Sequence, residues 1–174
     1  MKLWITRGVL WSLVLLCMGF IFSMSAKPAQ QSSQVSGQFI RSVAAVVTPD
    51  FSALSEEDQN AVVESFQHVV RKGAHFSIYL FLGVLCLLAM QTHRVKPAVK
   101  IGVSLGICLL YAASDEFHQL FIDGRSGQVS DVLLDFCGSA VGVLLTAGAA
   151  ALVCRHLRKR TSQLLPNSGT LWYF

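Results

Sequence analysis

The stretch YAASDEFHQLFIDGRSGQVSD, Tyr111 to Asp131, follows VKIGVSLGICLL, an apolar run that reads as the middle of a membrane helix. Lys96-Pro97 suits the start of that helix, because proline is tolerated at the first helical position. Twenty residues from Pro97, at about 1.5 Å each, cover a hydrocarbon core of about 30 Å and end near Phe117. Asp115 and Glu116 therefore lie at the edge of the lipid or inside it, where each costs a few kcal/mol if left unpaired. Whatever compensates them must come from the rest of the chain.

Working outward, the remaining sequence is also apolar. The 174 residues are 53% hydrophobic and only 14% charged, against about a quarter charged in an ordinary soluble domain. Four apolar segments stand out: Gly8–Met24, Gly73–Met90, Ala98–Ala113 and Val132–Val153. All but the third approach or exceed the ~18–20 residues that cross a bilayer. The expected fold is an all-α integral membrane bundle of four transmembrane helices. Residues 1–24 form the first span, with Lys2, Arg7 and SMSAKPA giving it a signal-peptide-like look. The length of the run and Trp11 favour a retained helix.

Charge placement sets the expected orientation. With the N-terminus inside, Lys2, Arg7, Arg94, Lys96, Lys100, Arg155, Arg158, Lys159 and Arg160 face the cytoplasm, and all ten acidic residues fall on the other side. Both termini are then cytoplasmic. The net charge of +4 is a topology signal, and it does not point to nucleic acid. Residues 25–71 form an extracytoplasmic loop with helical segments. It opens with AKPAQQSSQVSGQ, a polar flexible spacer, followed by a short surface helix in FIRSVAAVV. SEED, Ser55 to Asp58, then reads as an N-cap with an acidic first turn. The helix it starts either runs straight into the second span or bends at Gly73. Residues 72–154 form a three-helix core, and 155–174 a basic cytoplasmic tail that becomes loose. Four of the five cysteines sit one in each apolar segment and Cys154 directly follows the last, in no metal or disulfide pattern, and they read as packing residues.

Compensation for the acids is available at the same depth. Lys72, His75 and Tyr79 share one face of the second span, which Gly83 extends. Asp131, Asp135, Gly138 and Gly142 share a face of the fourth, two acids above a small-xxx-small pair that lets helices approach. Gly102 and Gly106 suggest a similar face on the third span. Asp115 and His118 cannot share a groove with Glu116 and Gln119 if that helix stays regular. Either it is surrounded there, or it unwinds near Gly124. Arg71, Lys72, His75, Asp115, Glu116, His118, Gln119, Arg125, Asp131 and Asp135 thus meet in one compact polar cluster.

RKGAHFSIY, YAASDEFHQLF with GRSG, and DVLLDFCG together resemble the VanZ-like family of small bacterial membrane proteins, over about Arg71 to Gly142. The chain departs from that pattern at Ile78, where many members carry glutamate. The resemblance implies a polytopic protein of the bacterial cytoplasmic membrane, in a family whose founding member is associated with resistance to teicoplanin-type glycopeptides. It carries over His75, Tyr79, Asp115, Glu116, His118, Gln119, Arg125, Asp131 and Asp135 as motif positions.

Three uses of the cluster remain open. It is structural if Arg71 or Lys72 pairs with Asp131 or Asp135, and Arg125 with Asp115 or Glu116. It is a binding site if Arg71, Lys72 and Arg125 hold a phosphate or pyrophosphate of a membrane lipid or lipid-linked cell-wall precursor, or meet a glycopeptide. It is catalytic if His75, Glu116, Asp115 and His118 act as an acid–base set on a lipid-linked phosphate or ester. These residue types also suit a hard metal site. DEFHQ is not HExxH, however, and the histidines lie on different helices, so spacing assigns neither metal nor cofactor. Trp4 and Trp11 read as interface and packing residues, and His68 and His93 as surface residues.

Overall fold

The computed structural model describes residues 2–47 and 50–164. Among the described residues the chain is helical throughout: α1 (Lys2–Ser25), α2 (Ala29–Val47), a 3-10 turn (Phe51–Ala53), α3 (Glu56–Gln91), α4 (Pro97–Gln119) and α5 (Val129–Leu164). α1, α3, α4 and α5 are each long and apolar enough to cross a membrane.

Local chemistry explains the boundaries. The Ser55 side chain accepts from the Asp58 amide at 3.2 Å, and Glu56, Glu57 and Asp58 fill the first turn of α3, where the helix dipole favours negative charge. Pro97 occupies the start of α4. α3 passes Gly73 without interruption for 36 residues.

α3 is the central helix, and its most extensive contact is with α5. Glycines make that contact possible. A Cβ at Gly138 would fall on the Phe76 carbonyl, one at Gly142 on the Leu80 carbonyl, and one at Gly83 on the Ser139 carbonyl. The two backbones therefore touch along two turns, where dispersion between close-packed atoms replaces hydrophobic driving force. Gly102 and Gly106 have open space where a side chain would be, so the glycine face expected on α4 is not a packing seam. The buried stripe of α4 is instead Ser104, Cys108, Ala112, Asp115 and Glu116. Val14, Cys17 and Ile21 of α1 meet Tyr79, Leu82, Leu85, Cys86 and Ala89 of α3 and Cys108 and Ala112 of α4 in the main core. Leu15, Leu16, Leu110, Leu144, Leu145 and Leu152 point outward and exposed, as suits a lipid solvent. All five cysteines are free; Cys17, Cys86 and Cys108 are buried, Cys137 and Cys154 exposed.

Three expectations change. The stretch read as a flexible spacer is largely helical, because α2 folds back along the first half of α3. Gln67 donates to the Ser33 carbonyl at 2.6 Å, Gly37 packs on Val63, and Arg41 bonds Gln59 and Asn60. At the opposite end, α5 continues well past Val153, since RHLRKR is rich in good helix formers. Residues 165–174, including the terminal LWYF, lie outside the described residues. His93 is not a bystander: its Nε2 accepts from the Trp11 indole at 3.2 Å, while Arg7 donates to the Thr92 carbonyl at 2.8 Å and ties α1 to the end of α3.

Candidate functional site

At the end of the bundle opposite Arg7 and Thr92, polar and charged residues of three helices and one loop converge. α4 stays regular there because it is surrounded, which settles the alternative left open by its sequence. Asp115 faces α1, its Oδ2 accepting from Ser25 Oγ at 2.8 Å and from Gln119 Nε2 at 3.3 Å. Glu116 faces the α4–α5 loop, and its Oε2 accepts from the Gln128 amide at 3.0 Å. Gly127 permits that bond, since a Cβ there would meet the Glu116 carbonyl and Leu120 at 2.8 Å. His118 turns away to stack on Phe22, with ring centroids 4.4 Å apart. It therefore does not join His75.

Gly124 adopts a left-handed conformation with φ 72°, which reverses the chain and presents Arg125 to the α1–α2 corner. The structural reading of the cluster pairs Arg125 with Asp115 or Glu116. Instead it donates to the Lys27 carbonyl at 3.0 Å, the Met24 carbonyl at 3.3 Å, Ser32 Oγ at 2.6 Å and Gln119 Oε1 at 3.3 Å. The reason is geometric: both carboxylates already have donors, Ser25 and Gln119 on Asp115 and the Gln128 amide on Glu116, whereas the chain past the end of α1 presents carbonyls with room for a further donor. Burial pushes the Arg125 guanidinium down from its ordinary pKa, and neighbouring Arg71 acts in the same direction against Asp115 and Glu116.

Lys72 takes the pairing left open for it, donating to Asp131 Oδ1 at 2.8 Å. His75 Nδ1 lies 3.6 Å from Asp135 Oδ2. Tyr79 is fully buried beneath them. Arg71 makes no hydrogen bond or ion pair among the described residues.

These side chains enclose a small polar cavity of about 90 Å³, lined by Arg71, Lys72, His75, Glu116, Gln119, Arg125, Asp131 and Asp135, with His68 also on its wall. Beside it runs an apolar groove of about 530 Å³ between α1, α2 and α3, walled by Phe20, Ile21, Met24, Val35, Phe39 and Ile78. Arg71, His75 and Arg125 belong to both. Asp115 and Tyr79 lie behind the polar cavity, and His118 outside it.

Sequence reasoning missed Ser25, Ser32 and His68 at this site. His68 stands one turn before Lys72 and three-plus-four spacing aligns it with His75, so that signal was present. Ser25 ends the first span at the same depth as Asp115, which was also readable. Ser32 had no signal, since the first half of α2 was read as a flexible spacer and only FIRSVAAVV as a helix.

The family model described as VanZ/LLP1 matches residues 10–152. No curated protein and no solved structure matches the chain.

Proposed function

The chain belongs to the VanZ/LLP1 family, and from that premise we propose that its polar cavity binds the phosphate of a lipid-linked or otherwise anionic envelope component. The apolar groove takes the lipid's chain, and the cavity lies in the extracytoplasmic leaflet of a bacterial cytoplasmic membrane, where binding alters susceptibility to teicoplanin-type glycopeptides. The observation that carries this reading is Arg71. Among the described residues it is a cation without a hydrogen-bond or ion-pair partner, placed on the wall shared by a polar cavity and an apolar groove. A phosphate ester of a lipid has that same division, charge at one end and hydrocarbon at the other. The positive-inside asymmetry supports the sidedness, since the opposite end carries Arg7, Arg94, Lys96, Lys100 and the basic run from Arg155.

The test is equilibrium binding of a short-chain phosphatidate, with phosphatidylcholine as the reference, to purified full chain in detergent. Arg71→Gln removes a charge-assisted hydrogen bond of about 1.5–3 kcal/mol, so phosphatidate affinity falls at least about tenfold while folding is unchanged. Equal affinity in the variant refutes the reading. In cells, the same variant stays abundant in the membrane and loses any effect on teicoplanin susceptibility.

A further inference from the structure

Behind the polar cavity, three helices each supply one chemically distinctive side chain: His75 from α3, Asp115 from α4 and Asp135 from α5. One ligand atom from each lies within 4.8 Å of the other two. Both carboxylates are almost inaccessible, Asp115 at 2% and Asp135 at 1% exposure. Yet Asp115 Oδ1 and both oxygens of Asp135 have no hydrogen-bond partner. Buried carboxylates are ordinarily paired, hydrogen-bonded or bound to metal. Of the cations nearby, Lys72 is engaged on Asp131 and Arg125 on Gln119, Ser32 and two carbonyls, and Arg71 makes no ion pair with either carboxylate among the described residues.

The spacing supplies the second indication. His75 Nδ1 and Asp135 Oδ2, 3.6 Å apart, are too distant for a hydrogen bond. Two ligands of one tetrahedral ion with bonds of about 2.1 Å stand about 3.4 Å apart. Asp115 is already oriented for such a role: Ser25 and Gln119 both donate to Oδ2 and leave Oδ1 free, the kind of outer support that fixes a ligand's direction.

We propose that His75, Asp115 and Asp135 bind one divalent metal ion of the zinc or manganese type. One imidazole with two carboxylates suits those ions, whereas calcium needs six to eight oxygens. Two carboxylates balance the charge of the ion, so the filled site is neutral within the bundle. Three protein donors leave a coordination position open. His75 and Asp135 also line the polar cavity, so that position faces the space assigned above to a phosphate. The ion site stands on its own ligands and does not require the lipid reading.

The test uses purified full chain in detergent, stripped with chelator, then equilibrated with Zn²⁺ or Mn²⁺ and freed of unbound ion. Wild type retains about one equivalent by mass spectrometry of the metal, and its melting temperature rises with ion concentration. Asp115→Asn and Asp135→Asn bind at least tenfold more weakly, and His68→Ala, outside the triad, matches wild type. Since the aspartates are buried, His75→Gln is the second variant: it loses the ion while its metal-free melting temperature stays near that of wild type. Arg71→Gln keeps the ion, which separates failure of this proposal from failure of the lipid reading. Retention well below one equivalent in wild type overturns the proposal. Undiminished retention in both asparagine variants overturns it equally.

Discussion

Replacing Arg125 by lysine keeps the charge at the site end of the bundle and removes the planar fork. The guanidinium spans four acceptors on three separate elements: the ends of α1 and the α1–α2 corner through Met24 and Lys27, α2 through Ser32, and α4 through Gln119. An ammonium at the end of a differently shaped stem reaches at most one or two of them. Each lost bond from a charged donor is nominally about 1.5–3 kcal/mol when buried. The side chain is only half-buried, and water can reach the freed carbonyls, so the sum for Arg125→Lys is discounted to about 2 kcal/mol. For a chain of this length that corresponds to about 4–8 °C in melting temperature. Thermal unfolding in detergent measures the loss, and limited proteolysis between α1 and α2 shows where the structure has loosened, because the corner is what Arg125 holds. Arg71→Lys is the control and melts like wild type, since Arg71 has no protein bond to lose. An Arg125→Lys protein that melts and resists protease like wild type would refute the assignment of Arg125 as a clasp.

Gly142→Ala forces the α3 and α5 backbones apart at Leu80 and costs about 1–3 kcal/mol as overpacking. Gly106→Ala, with open space around it, stabilises or leaves the melt unchanged, and a matched pair of melting curves checks both. A double-mutant cycle of Trp11→Phe and His93→Ala returns a coupling of about 0.5–1.5 kcal/mol for their hydrogen bond, and additive losses contradict it. The Lys72–Asp131 pair is about a third exposed at each side chain, so Lys72→Ala costs only about 0.5 kcal/mol. Lys72→Asp with Asp131→Lys recovers the stability that either charge reversal alone loses, as read from the same melts.

Much of the bundle was legible because its signals are local. The capping serine at Ser55, the proline at Pro97 and the glycines at 83, 138 and 142 each act on atoms within a turn, or on the one helix their face must meet. The glycines at 102 and 106 carry the same sequence signal with no partner opposite, so a small-residue spacing alone does not choose a seam. The first half of α2 was illegible for another reason. QQSSQVSGQ has little intrinsic preference for helix, and it is held against α3 through Gln67 and Val63. At the site, depth counted from Pro97 brought Arg71, Lys72, His75, Glu116, Gln119, Arg125, Asp131 and Asp135 to one cavity, while His118 turned away onto Phe22. Pairing did not follow, because an arginine can satisfy itself on backbone carbonyls nearly a hundred positions away, and carbonyls have no signature in a sequence. The triad of His75, Asp115 and Asp135 was visible as three members of a longer roster. Only coordinates show that Lys72 and Arg125 leave those two carboxylates unanswered.

The unbroken course of α3 has a mechanical consequence. At about 1.5 Å per residue its 36 residues reach about 54 Å, nearly twice the hydrocarbon thickness. Its first half is braced by α2, while Arg71, Lys72 and His75 sit midway along it. No break interrupts it between Glu56 and the glycine contacts with α5, so the α2-braced half and the three cavity side chains it carries belong to one continuous rod.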